Sequence, residues 1–205
     1  QRIAMAEMAA AFYGYPARGM RIVGVTGTNG KTSTTYMLKA IAEQCGLKVG
    51  LIGTIRNLIG ERIVDTERTT PESVDLQRIL REMKDEGVEL VVMEASSHSL
   101  DQRRVHGIEF ETAVFTNLTQ DHLDYHKTFE NYLAAKMILF TELLEKGGAA
   151  VLNADIEVYD RLKENCLRCG KRVISYGYNG KDIKLLKATP QTHGQKLNIL
   201  SLIHI

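Results

Sequence analysis

Residues Gly24–Thr35 read GVTGTNGKTSTT, three glycines, one lysine, five threonines and a serine directly behind the β-branched run RIVGV (Arg21–Val25). The next segment, Thr32–Cys45, places Met37, Leu38, Ile41 and Ala42 at helical spacing. Strand, glycine loop and helix in that order make a phosphate-binding junction. The glycines let backbone N–H groups turn toward an anion, Lys31 supplies a point charge for β- and γ-phosphates, and the Thr32 hydroxyl is suited to Mg2+. The strict Walker pattern has glycine six residues before the lysine, where this chain has Val25, with Gly24 and Gly27 nearest. That departure argues against a standard GTPase or motor ATPase.

Working outward, the same alternation continues. Ile3–Tyr13 has helical composition and is broken by Gly14, Pro16 and Gly19. After the loop come a strand at Leu47–Ile55, a helix at Pro71–Glu86 and strands at Val88–Ala95 and Thr112–Leu118. A helix over Phe129–Leu144, a strand at Gly148–Asp155, a helix at Glu157–Leu167 and a strand at Arg172–Gly177 follow. From Asp182 onward short strand-like pieces flank a Pro190–Gly194 turn. This order predicts an α/β fold, a mostly parallel sheet flanked by helices with a small β appendage near the C-terminus, and ligands at the carboxyl ends of the strands.

The 205 residues are 44% hydrophobic and 25% charged, enough for one fairly large domain with a core of its own. A formal charge of +1 gives no basic footprint, so neither nucleic acid nor a membrane surface is expected as partner. Three cysteines, with no signal-like start and no apolar run of about 18 residues, predict a reducing, cytoplasmic setting. Cys166 and Cys169 have redox or zinc spacing, but no second Cys/His pair lies near to complete four ligands.

Two strand ends carry candidate chemistry. The apolar run ELVVMEA stops at Glu94, a carboxylate placed to meet Mg2+ at the mouth of the crevice. The next strand runs into TNLTQDHLDYH, where Asp121, His122, Asp124 and His126 crowd together. His122 and His126 at i, i+4 could share a helix face as zinc ligands, while the phosphate loop favours Mg2+.

Five ordered segments, GVTGTNGKTSTT (24–35), RTTPESVD (68–75), MEASSHSL (93–100), QRRV (102–105) and FTNLTQDHLDYHKTFENYLAAK (115–136), together resemble the Mur ligases. These are ATP-dependent amide-bond ligases of the peptidoglycan stem peptide. The likeness runs from about Ala4 to near Asp155 and is strongest to the members that add the third residue, diaminopimelate or lysine, to UDP-MurNAc-L-Ala-D-Glu. It implies that Gly27, Thr28, Asn29, Gly30, Lys31, Thr32 and Ser33 hold the ATP phosphates. It further implies that Thr32 and Glu94 bind one Mg2+, that Glu94 and His122 help to hold a second, and that Lys136 is carbamylated and orients the metals.

By the same matching, Thr69, Thr70, Ser96, Gln102 and Arg104 would bind the UDP-MurNAc-dipeptide; Arg68 stands where the family commonly has Asn. The resemblance implies a D-Glu carboxylate attacking the γ-phosphate to give an acyl phosphate, which an incoming amino group then opens. It also makes residues 1–20 a lead-in from an N-terminal domain and 21–205 the central ATP-binding domain, with the amino-acid-binding C-terminal domain outside the chain. On that reading these residues alone bind nucleotide without ligating. The ending LNILSLIHI (197–205) does not continue into the family's usual linker. Two other readings stay open: a folylpolyglutamate or cyanophycin synthetase, and a non-catalytic nucleotide-binding module.

Overall fold

The computed structural model describes residues 1–65 and 68–202; the last three residues of the terminal stretch singled out above lie outside them. Helix α1 (Arg2–Phe12) leads into strand β1 (Arg21–Thr26), the glycine loop and helix α2 (Lys31–Gln44). Strands β2 (Val49–Ile52), β3 (Asn57–Ile59) and β4 (Arg62–Val64) precede helix α3 (Ser73–Asp85), strand β5 (Leu90–Glu94) and the short helix α4 (Ser97–Asp101). Strand β6 (Phe110–Phe115) is followed by helices α5 (Leu123–His126) and α6 (Phe129–Ile138) and a π-helical turn at Leu139–Leu143. Strand β7 (Leu144–Asn153), helix α7 (Tyr159–Arg168) and strands β8 (Arg172–Gly177), β9 (Ile183–Gln191) and β10 (Gly194–Ser201) are the last of the described elements.

The ten described strands form one sheet in the order β10-β9-β8-β7-β6-β1-β5-β2-β3-β4. The seven strands from β9 to β2 run parallel, and an antiparallel hairpin closes each edge. The chain moves outward from β1 to β2, returns through β5, and crosses β1 to build β6, β7 and β8. This reversal opens a crevice at the carboxyl ends of β1, β5 and β6, the position at which open α/β sheets take ligands.

The pleat of β5 shows why the sheet is covered on both faces. Val91 and Met93 are fully buried in the main core with Leu76, Ile79, Leu80 and Met83 of α3, whereas Leu90 and Val92 belong to a second cluster with Ala42 of α2. Each apolar side chain that α3 buries is worth about 1.5–3 kcal/mol. The elements follow the expected alternation with local differences. The strand expected over Leu47–Ile55 ends at Ile52, because Thr54 turns to serve Glu94. The helix expected over Phe129–Leu144 gives way after Ile138 to the π-helical turn, where Thr141 returns its hydroxyl to the Met137 carbonyl (3.0 Å). Strand β7 starts at Leu144, which pairs with Phe110 ahead of a register irregularity. The C-terminal appendage is the β9–β10 hairpin, joined to β8 by only the pairs Tyr176–Ile183 and Gly177–Lys184.

Candidate functional site

The glycine loop leaves β1 at the centre of the sheet, and its backbone shape needs its glycines. Gly27 has φ 144°, and a Cβ there would lie 2.0 Å from Thr116 Oγ1. Gly30 has φ 84° and caps α2, so the first N–H groups of a fourteen-residue helix open into the crevice. A strap from the end of β6 holds the loop. Asn117 accepts from the Asn29 N–H (2.9 Å) and donates to the Asn29 carbonyl (2.9 Å), while Thr116 Oγ1 donates to that carbonyl (2.7 Å). Lys31 folds back on its own loop, donating to the Gly27 (3.0 Å) and Thr28 (2.8 Å) carbonyls. Burial pushes its ammonium pKa below the usual lysine value, against the pull of Glu94 and Asp121. Ser33 lies exposed in the first turn of α2.

Glu94 is fully buried at the end of β5 and lies against the loop. Its Oε1 accepts from Thr32 Oγ1 (2.9 Å) and the Thr54 N–H (2.9 Å), and its Oε2 from Thr54 Oγ1 (3.0 Å). A Cβ at Gly53 would lie 2.5 Å from Oε1, so that carboxylate fits only beside glycine. With its one proton given to Glu94, Thr54 Oγ1 is free to accept from Thr69 Oγ1 (3.1 Å), and buried Thr70 donates to the Glu94 carbonyl (2.8 Å). The segment read as substrate-binding is thereby tied to the residue read as a metal ligand.

The network continues into α4 and the turn behind it. Ser96 caps α4 by accepting from the Ser99 N–H (3.1 Å). Arg104, 7% exposed, donates through Nη1 to the Thr70 carbonyl (3.1 Å) and through Nε and Nη2 to Gln102 Oε1 (3.1 and 2.6 Å). Its Nε is also 3.1 Å from Glu72, which Arg68 meets at 2.7 Å. Burial pulls the Arg104 guanidinium pKa below its ordinary value, with Glu72 opposing.

On the other side of the loop, α6 brings Tyr132 and Lys136 inward. Lys136 is 1% exposed, donates to the Gly27 carbonyl (2.9 Å) and sits 4.4 Å from the Tyr132 ring centroid. Burial first, and the Lys31 charge second, push its pKa down to about 7. The Tyr132 hydroxyl pairs with Thr28 Oγ1 (3.2 Å), and its ring lies 6.0 Å from that of His122. His122, at φ 53°, heads α5 with its imidazole half exposed and 3.6 Å from Asp121. No hydrogen bond joins it to Glu94 or Lys136 among the described residues. Its zinc partner in the sequence reading, His126, is instead buried and bonded to Ser97 Oγ (3.0 Å). Among the described residues no three His, Cys, Asp or Glu side chains converge on a metal position. The oxygen donors Thr32 and Glu94 suit Mg2+ beside phosphates, and Thr26 Oγ1 at the end of β1 is buried without a hydrogen-bond partner among the described residues. The cysteines are free, Cys166 buried and Cys169 exposed.

Thr54, Asn117 and Tyr132 each touch the site and escaped the sequence reading, because a single hydroxyl, amide or phenol in a loop or helix carries no spacing signal. Only Asn117, one residue short of the end of the strand expected over Thr112–Leu118, had a position that pointed toward the crevice.

The profile of the Mur ligase middle domain matches residues 25–205. The chain is 50% identical over 176 residues to the UDP-N-acetylmuramoyl-L-alanyl-D-glutamate--2,6-diaminopimelate ligase of Clostridium botulinum, covering 86% of this chain and 35% of that protein. It is 46% identical over 199 residues to the corresponding ligase 1 of Clostridium acetobutylicum, covering 97% and 40%. The chain thus spans little more than a third of the length of these relatives. A solved structure of a ligase with the same name superposes with TM-score 0.85 at 28% identity over 98% of this chain and 42% of that one. The folylpolyglutamate synthase of Mycobacterium tuberculosis, at 18% identity and TM-score 0.76 over 96% of this chain and 51% of its own, shares the fold. No described helix is long and apolar enough to cross a membrane.

Proposed function

Since this chain belongs to the family of the Mur ligase middle domain, we propose that it is the ATP-binding unit of a longer ligase that joins diaminopimelate to UDP-MurNAc-L-Ala-D-Glu. The choice of diaminopimelate over lysine rests on the names of the relatives. The observation that supports the reading is the unbroken set of contacts from Thr32 through Glu94 and Thr54 to Thr69 and Thr70, which joins the glycine loop to the segment read as substrate-binding.

In this reading the loop from Gly27 to Ser33 cradles the ATP phosphates, and Lys31 exchanges its two carbonyl acceptors for phosphate oxygens. Thr32 and Glu94 would hold one Mg2+, and Glu94 with His122 a second. When bound, such ions neutralise charge on the transferring phosphoryl group. Arg104, Gln102, Ser96, Thr69 and Thr70 orient the dipeptide so that a D-Glu carboxylate oxygen faces the γ-phosphorus. The new O–P bond forms as the bond to ADP breaks; the amine then attacks the acyl carbon, phosphate leaves, and the ammonium proton is lost. Positioning and fixed charge supply the acceleration. Burial lowers the Lys136 pKa to about 7, so the neutral amine is accessible near neutral pH. That amine can add CO2, forming an N–C bond and releasing a proton to give the carbamate.

The test uses the full-length ligase carrying this domain. Diaminopimelate-dependent product should form from ATP and UDP-MurNAc-dipeptide, and neither lysine nor a folate should replace its partner substrate. Lys31→Ala and Glu94→Ala should each lower acyl-phosphate-dependent isotope exchange by about 100-fold or more, the scale of losing a group that stabilises transition-state charge. Normal exchange in either variant overturns the assignment.

A further inference from the structure

Tyr125 touches neither the glycine loop nor Glu94, yet it joins the two arms of the site. Its hydroxyl donates to Asp101 Oδ2 (2.7 Å) and accepts from Gln102 Nε2 (3.2 Å). An ionised carboxylate is only an acceptor, so it commits the phenol's single proton and leaves the phenol oxygen free to accept. The Gln102 amide is therefore oriented from both ends, with Nε2 toward Tyr125 and Oε1 toward Nε and Nη2 of Arg104. The reversed amide would set donors against the guanidinium. Three of the five Arg104 N–H groups are spent on Gln102 and the Thr70 carbonyl, which leaves one N–H each on Nη1 and Nη2. The Tyr125 ring also lies 4.2 Å from that of His98, which is 5.0 Å from that of His122. Helix α5 has only four residues, so such contacts decide where it sits.

We propose that Tyr125 is a positioning residue: through the Asp101–Tyr125–Gln102 relay it fixes the rotamer of Arg104 for an anionic group of the substrate, and it docks the helix headed by His122 on the same turn. The proposal rests on the reading that Gln102 and Arg104 bind the UDP-MurNAc-dipeptide. In the full-length ligase, Tyr125→Phe should raise KM for that dipeptide about fivefold, the worth of one net hydrogen bond, with KM for ATP unchanged and kcat less affected. Asp101→Ala, which frees the hydroxyl, should move the same parameter in the same direction and carries the test if Tyr125→Phe does not fold. In a Gln102→Ala background, Tyr125→Phe should add less than about twofold, since residues acting through one contact are not additive. A dipeptide KM unmoved in both Tyr125→Phe and Asp101→Ala, or a full effect persisting without Gln102, overturns the relay. If Gln102→Ala itself leaves that KM unchanged, the substrate-arm reading fails and the relay with it.

Discussion

An ammonium group that is 1% exposed, with one carbonyl and one ring face for company, is costly to keep charged, and Lys136 pays by releasing its proton near neutrality. The folded pKa, about 7, lies below the ordinary lysine value of 10.5. Below pH 7 both states are protonated and the folded chain bears the full penalty; between the two values the unfolded chain holds the extra proton, so stability rises with pH. In CO2-free buffer, stability relative to Lys136→Met should therefore rise between pH 7 and 9 by up to about 1.4 kcal/mol per pH unit. Urea titrations of both proteins measure it, and a flat difference would show that Lys136 is charged or hydrated in the fold. At this scale the sequence was uneven. Lys31, Thr32 and Glu94 were legible because a glycine loop and a strand end announce them, whereas Lys136 followed only from a family resemblance, since burial of a helix lysine is a tertiary fact. Tyr132, which touches Thr28, Lys136 and His122, carried no signal at all.

Helix α6 has the task of delivering Tyr132 and Lys136 to the loop, and its start is fixed by a side-chain cap. Thr128 Oγ1 accepts from the Asn131 N–H (3.1 Å), and the Asn131 side chain donates to the His126 carbonyl (3.0 Å), closing the joint between α5 and α6. Thr128→Ala removes one acceptor from the first turn and should cost about 1 kcal/mol. Denaturant unfolding reads that loss as a lower midpoint at unchanged slope; no shift beyond about 0.3 kcal/mol would mean that solvent caps the helix equally well. Long periodic elements such as α2 and α3 were readable to within two residues of their ends. The β3–β4 hairpin was not, because three-residue strands about Gly60 offer too few alternations to distinguish from a loop. The same shortness hid α4 and α5, while the π-helical turn hid the start of β7 behind a sequence that is helical in composition.

Across the whole molecule, stability should fall from the crevice to the edges. Strands β1, β5 and β6 run through the main core, with Ile22, Val91, Phe110 and Phe115 at 0% exposure, so their backbone bonds open only when the core does. The β9–β10 hairpin is the opposite case. Most of its residues are exposed, Leu186, Leu197, Ile199 and Leu200 among them at 47–56%, and it hangs on β8 by two residue pairs. Its base is pinned by Asp182, which accepts from Ser175 N–H (2.8 Å) and Oγ (2.6 Å). Amide hydrogen exchange on this chain should then show β9 and β10 exchanging at least about 100-fold faster than β5, as expected for local opening without loss of the core. Ligand at the crevice should slow exchange in the glycine loop and α2 but leave the hairpin rates unchanged, because the central strands carry the binding geometry and the edge does not. Equal protection in β5 and β10 would instead mean that the ten strands melt as one unit, and the crevice would then owe its shape to the edge hairpin as much as to the buried strands beneath it.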